Sequence, residues 1–167
     1  MTDTPAPTIA FIGGGNMAAA LIGGLVRAGH RPASILAIDP GDAARQKLQA
    51  DFGVRVQPAA DSTLAGTGLV VWAVKPQLFA QAAAPCAPHL AGALHLSVMA
   101  GIRSGAIARA MGLPAAQAHI VRSMPNTPAL IGRGIAGLFA LPAVTAAQRA
   151  QVEQVLAPTG QIGRAHV

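Results

Sequence analysis

Three consecutive glycines, Gly13 to Gly15, stand between an apolar run and an alanine-rich stretch in "FIGGGNMAAAL", residues 11–21. Ordering glycine costs more backbone entropy than ordering any other residue, so three in a row between two apolar segments need a physical reason. The preceding segment, Thr8–Ile12, is short, apolar and ended by glycine, which predicts a buried strand. The following one, Met17–Ala28, predicts a helix stopped by Gly29. Glycines at such a junction serve one of two ends. They form a tight turn between two buried elements, or they let a phosphate lie against the backbone.

The spacing favours the phosphate. Gly13-x-Gly15-x-x-Ala18, after a strand and at the start of a helix, matches the dinucleotide fingerprint in its required context. Gly13 permits the turn, Gly15 leaves room for a pyrophosphate, and Ala18 keeps the helix close to the sheet. The helix N-terminus adds free N–H groups and partial positive charge. A ribose reader is expected about 20 or more residues on, at the end of the second strand, and Asp39 stands there. Its carboxylate can accept both ribose hydroxyls and would repel a 2′-phosphate. Arg45, in the next helix, offers that phosphate a partner instead. The competing reading of Asp39 is a turn residue of "DPGD".

Apolar runs and helical stretches alternate along the rest of the chain. Strands are predicted at Ser34–Ile38, Val54–Val56, Leu69–Val74, Ala93–Val98, His119–Val121 and Gly134–Leu141. Helices are predicted at Gly41–Phe52, around Ser62–Ala65 with Asp61 as cap, at Pro76–Ala84, over "GAIARAM" with Ser104 as cap, and at Ala146–Ala157. Thr145 and Gln148 form a capping box for the last helix. Such alternation of apolar strands with helices implies an α/β fold: a Rossmann-like, doubly wound, mostly parallel sheet covered on both faces.

Composition removes several function classes. The chain has 167 residues, 52% hydrophobic and 11% charged, enough for one domain with a core. No apolar run reaches the roughly 18 residues of a membrane span, and "MTDTPAPT" has neither the basic nor the apolar region of a signal peptide. Cys86 is the only cysteine, so no internal disulfide forms. A cytoplasmic protein without a membrane partner is expected. The net charge is +6, yet the ten arginines form no run and there is no tyrosine to interleave with them, which argues against nucleic acid. The five histidines share no metal-ligand spacing, and no nucleophile, catalytic dyad or metal cluster is visible.

In an open parallel sheet ligands bind beyond the carboxyl ends of the strands. Three further loops are expected there. "AVKPQ" (Ala73–Gln77) carries Lys75, which Pro76 forces out of helical geometry. "SVMAG" (Ser97–Gly101) ends the next strand. "RSMPNTP" (Arg122–Pro128) is read as a stiff polar loop that offers Asn126 and Thr127 to a substrate, with a local turn as the competing reading.

Four segments together resemble one family, the pyrroline-5-carboxylate reductases: "FIGGGNMAAALIGGL", "VVWAVKPQ", "LSVMAGI" and "VRSMPNTPALIGRG", in the family's order and spacing. The resemblance runs from Ile9 to about Gly160, and "MPNTPAL" after "AVKPQ" is its most specific part. It implies NADPH or NADH as coenzyme, bound by Ile12, Gly13, Gly14, Gly15, Asn16, Met17, Asp39, Ala73, Val74, Lys75, Pro76, Val98, Met99 and Ala100, to which the fingerprint adds Ala18. Ser62, also counted among the coenzyme-binding residues, or a neighbour stands where the family often carries Asn, and Gly68 where it usually has Asp. The implied reaction is hydride transfer to the C=N carbon of 1-pyrroline-5-carboxylate, giving L-proline. No catalytic side chain is expected in this chain.

Family members continue into an all-helical domain that dimerises and supplies much of the imine pocket, and none of it is in this sequence. The expected organisation is therefore a tail over residues 1–7, a dinucleotide-binding domain over 8–161 and a non-native tail over 162–167, since "IGRAHV" does not resemble the family. Two other readings are a stand-alone, non-catalytic dinucleotide-binding module and a reductase like 6-phosphogluconate dehydrogenase.

Overall fold

A computed structural model of the chain describes residues 7–126, 128 and 131–164. Its strands and helices are β1 (Ile9–Ile12), α1 (Asn16–Arg27), β2 (Ile35–Ile38), α2 (Asp42–Phe52), β3 (Arg55–Gln57), β4 (Leu69–Trp72), α3 (Phe79–Ala83), β5 (Leu94–Ser97), α4 (Ser104–Ala110), β6 (Ile120–Pro125), β7 (Gly134–Ala140), α5 (Ala146–Leu156) and β8 (Gly160–Arg164). They form one eight-stranded sheet in the order β3-β2-β1-β4-β5-β6-β7-β8. All pairings are parallel except β6 with β7. The predicted α/β, mostly parallel, doubly wound sheet is therefore the observed one. No helix among the described residues is long and apolar enough to cross a membrane.

Each central strand is buried along its whole length because both faces are covered. On one face Phe11, Ala37, Val71, Leu96 and Val121 pack with Leu21, Ile22 and Leu25 of α1 and with Val152, Val155 and Leu156 of α5. On the other, Ile12, Ile38, Trp72 and Ile120 pack with Phe79 and Ala83 of α3 and with Ile107 and Ala108 of α4. Alternate residues of a strand thus feed opposite halves of the core.

Four local expectations need correction. Arg122–Pro125 do not belong to a loop. They continue β6 and pair with Ala136–Phe139 of β7, because Val121 and Ser123 alternate inward while Arg122 and Met124 alternate outward. Ser104 is not a cap: Arg103 occupies the cap position, and the Ser104 hydroxyl is buried without a partner. The Pro76–Ala84 helix divides into a 3₁₀ turn, Pro76–Leu78, and the short α3. Ser62–Leu64 is also a 3₁₀ turn, with Asp61 as its cap as expected. The Thr145–Gln148 capping box is present with both of its hydrogen bonds.

β8 has no counterpart in the sequence-based reading. It runs parallel to β7 and carries Ile162–Arg164 into the sheet. Gly160 opens it at φ +128°, with Gly134 backbone packed where a Cβ would stand.

Candidate functional site

The carboxyl ends of β1, β2, β3, β4 and β5 lie along one rim of the sheet, and backbone hydrogen bonds tie the residues that leave them. The Gly13 N–H donates to Ile38 O at 2.8 Å, Ala73 N–H to Ile12 O at 2.8 Å, Val98 N–H to Trp72 O at 3.1 Å, and Asp39 N–H to Gln57 O at 3.2 Å. The exits of five strands are thereby held in fixed register. This brings Gly13–Met17, Asp39, Ala73–Pro76 and Val98–Ala100 to one rim.

The three glycines do different work. Gly13 sits at φ +104°, and a Cβ there would stand 2.5 Å from Ala73 O. The fold itself requires glycine at this position. Gly14 is buried, with Leu48 Cδ1 3.1 Å and Asp39 Cβ 3.2 Å from where its Cβ would lie. Gly15 is exposed at φ −78°, and a Cβ there would meet nothing within 4 Å. Neither conformation nor packing within the chain asks for glycine at 15.

Gly15 is the N-cap of α1, and no side chain caps that terminus and no acid stands in its first turn. The first N–H groups of a helix lack intrahelical partners, so this end presents donors and partial positive charge to the space above Gly15. Asn16 is exposed there, Met17 is half-buried, and Ala18 is fully buried against the sheet. An uncapped helix end over a glycine with open space suits the phosphates of a dinucleotide.

Asp39 does more than form a turn. Its Oδ2 accepts the Gly14 N–H at 2.8 Å and its Oδ1 the Gly41 N–H at 2.7 Å. The same carboxylate therefore clasps the glycine turn to the β2 exit. Each oxygen keeps a further lone pair for a ribose hydroxyl. Arg45 is already engaged: Nη1 donates to Asp39 O at 2.7 Å and Nη2 pairs with Asp42.

The other expected residues fall into place unevenly. Lys75 is exposed in extended geometry before Pro76. The Met99 N–H donates to Ser97 Oγ at 3.3 Å, which shapes the exit of β5. Ser62 is exposed on its turn and reaches the rim only through neighbours: Gln57 at the end of β3 donates to Asp61 Oδ1 at 3.2 Å, and Asp61 accepts from the Thr63 N–H at 2.9 Å. The Thr63 hydroxyl, first among these bonds, holds the Asp61 carboxyl below its ordinary range. Asn126 Oδ1 accepts the Ile135 N–H at 2.9 Å, so its oxygen is spent on starting β7. Thr127 lies outside the described residues. A cleft of about 460 Å³ lined by Gly132–Ile135, Gly160 and Gln161 lies at the β7–β8 edge, where Ile135 is hydrogen-bonded to Asn126.

Two features escaped the sequence reading. Beneath the rim, the Trp72 Nε1–H donates to His95 Nδ1 at 3.1 Å, and the rings stack at 6.2 Å with Phe79 edge-on to the indole. Burial, above all, depresses the His95 pKa to about 4, with the Leu90 backbone opposing and His119 assisting. The ring stays neutral, which lets Nδ1 accept. The second feature is Arg122, half-buried on β6. The inward and outward alternation of "IVRSM" was its available signal.

A family model described as "NADP oxidoreductase coenzyme F420-dependent" matches residues 8–101. Pyrroline-5-carboxylate reductase of Pseudomonas aeruginosa is 42% identical over 155 residues, covering 92% of this chain and 56% of that protein. Its counterpart from Vibrio alginolyticus is 38% identical over 157 residues, covering 92% and 56%. A solved pyrroline-5-carboxylate reductase from Coxiella burnetii superposes with a TM-score of 0.89 at 28% identity, covering 97% of this chain and 60% of that one. The chain thus spans a little over half the length of the curated relatives it matches.

Proposed function

Because the chain belongs to the family described as NADP oxidoreductase, coenzyme F420-dependent, we propose that it is the coenzyme-binding part of a cytoplasmic pyrroline-5-carboxylate reductase. It binds NADH or NADPH and takes part in the reduction of 1-pyrroline-5-carboxylate to L-proline. The observation that carries the reading is Gly15: exposed, unstrained and open where a Cβ would go, at the uncapped start of α1. The named relatives support the choice of substrate.

The bound coenzyme supplies the hydride. The chain's own residues bind and orient. Gly13–Gly15 and the start of α1 receive the pyrophosphate. Asp39 holds the turn and faces the ribose. The exits of β4 and β5, Ala73–Pro76 and Val98–Ala100, flank the nicotinamide end. Asn126, just past the end of β6, is assigned to the substrate side.

Hydride transfer needs the donor carbon within about 3–3.5 Å of the imine carbon in one orientation. One rim of a sheet shapes only one side of such a pocket. The opposite wall, and the contacts that assemble an oligomer, are assigned to the part of the relatives' length that this chain does not span. The test is NAD(P)H oxidation driven by pyrroline-5-carboxylate. The chain alone is expected to give no steady turnover. A fusion that adds the remaining residues of the Pseudomonas aeruginosa relative after Gly160 is expected to turn over. Steady turnover by the chain alone, or an inactive fusion that still binds coenzyme, contradicts this division of labour.

A further inference from the structure

Arg45 is seated against the backbone of the residue assigned to the ribose. Its Nη1 donates to Asp39 O at 2.7 Å, and its Nη2 pairs with the Asp42 carboxylate. Asp42 opens α2 and Arg45 stands three residues on, so the two side chains are neighbours on one face of the helix. Their exposures differ sharply. The Arg45 side chain is 16% exposed and that of Asp42 80%. The guanidinium is thus fixed by a main-chain carbonyl, while its other engaged nitrogen meets a carboxylate that stands in solvent.

The corner does not need Asp42 for its construction. Gly41 is the N-cap of α2, and its N–H is held by Asp39 Oδ1 at 2.7 Å. The Arg45 N–H closes the first turn on Gly41 O at 3.2 Å. Asp39 Oδ2 holds the Gly14 N–H at 2.8 Å. What the Asp42 carboxylate adds to the fold is an acid near a helix N-terminus and one exposed ion pair, both small terms in water. Its effect on an incoming anion is larger, because it already fills one donor of the neighbouring cation.

NADH and NADPH differ by one phosphate, carried on the ribose that Asp39 is assigned to read. A nearby arginine is what accommodates that phosphate in dinucleotide folds. Arg45 is the cation in hydrogen-bond contact with Asp39, and its planar fork suits phosphate, but Nη1 is committed to Asp39 O and Nη2 to Asp42. We propose that Asp42 is a specificity-determining residue that acts through Arg45: its carboxylate occupies the guanidinium edge that a 2′-phosphate would take, and so holds NADPH affinity down relative to NADH. This rests on the coenzyme-site reading above and goes beyond it by lodging the coenzyme preference in the Asp42–Arg45 pair as well as in Asp39. An exposed ion pair is weak, so a single substitution is enough to release the arginine.

The test is calorimetric titration of NADH and NADPH into the chain and its variants, beside a thermal melt of each. Asp42→Asn keeps the shape and an acceptor oxygen but removes the charge. It should tighten NADPH about five- to tenfold, leave NADH within about twofold, and leave the melting temperature where it was. In an Arg45→Gln background the same substitution should change NADPH affinity less than about twofold, because no guanidinium remains to be released. If Arg45→Gln melts too low to titrate, Arg45→Lys takes its place, and the gain should fall to about threefold or less, since an ammonium lacks the fork. The proposal is overturned if Asp42→Asn leaves the ratio of NADPH to NADH affinity unchanged, whatever happens to the melting temperature, since the pair would then serve only the helix. It is also overturned if the gain persists in full without the arginine, since Asp42 would then act by plain repulsion. Wild type that binds neither coenzyme refutes the coenzyme site, and this proposal with it, whereas an unchanged ratio in a chain that binds NADH refutes this proposal alone.

Discussion

The Asp39 carboxylate accepts the Gly14 N–H at 2.8 Å, so the residue proposed to read the ribose also braces the turn proposed to hold the phosphates. Two effects are therefore mixed in one side chain. Asp39→Ser should weaken NADH binding roughly 5- to 20-fold, since losing hydrogen bonds to a charged acceptor costs about 1–2 kcal/mol. It should weaken NADPH binding less, or strengthen it, because repulsion of the 2′-phosphate disappears as well. Titration with both coenzymes checks this. An equal change for both would confine Asp39 to bracing the turn.

Gly13→Ala tests the fold instead of the site. The residue would have to hold φ +104° with its Cβ 2.5 Å from Ala73 O. Strain of this kind costs about 1–3 kcal/mol before the clash is counted. In a domain of this size the melting temperature should fall by about 5 °C or more. A variant that melts like wild type would mean that the β1 and β4 exits are not packed as described.

His95 makes stability depend on pH. Its folded pKa of about 4 lies below the ordinary 6.5, so the unfolded chain takes up a proton that the folded chain refuses. Its stability contribution is complete above about pH 6.5 and is lost as pH falls toward 4, by roughly 3 kcal/mol in all. Thermal melts between pH 7 and 4.5 should show that slope, and His95→Phe should flatten it while lowering stability at pH 7, because Trp72 Nε1–H loses its acceptor. A slope unchanged in the variant would assign the effect to other groups.

Cys86 should be inert in the native chain. It is fully buried, and burial pushes its thiol up to about 11. An aromatic disulfide reagent at pH 8 should label it only at the rate of unfolding, accelerated by denaturant. Rapid labelling without denaturant would contradict the packing of α3 against the sheet.

Much of this was legible beforehand where local and global signals agree. The glycine turn, the buried strands β1, β2, β4 and β5, and the capping box of α5 each follow from spacing and residue type. What escaped depends on pairing. "RSMP" reads as a loop because Pro125 and a charged residue interrupt the apolar pattern, yet β7 supplies an antiparallel partner that holds it as strand. β8 is glycine-rich and polar, and only its docking against β7 makes it a strand. In the site, position alone suggested Asp39 as a ribose reader. Its bond to Gly14, 25 residues away, is a fact of tertiary structure that no local motif carries.

The central claim is that Gly15 is glycine for the sake of a coenzyme and not for the fold. Gly15→Val separates the two, because the backbone at φ −78° accepts valine and, chain neighbours aside, no described residue lies within 4 Å of the new Cβ. Titration of NADH and NADPH into wild type and variant, beside a thermal melt of each, is the direct measurement. The account predicts saturable binding by wild type, none by the variant, and melting temperatures that agree. Equal coenzyme affinity in the two proteins, or loss of binding only together with loss of the fold, would contradict it.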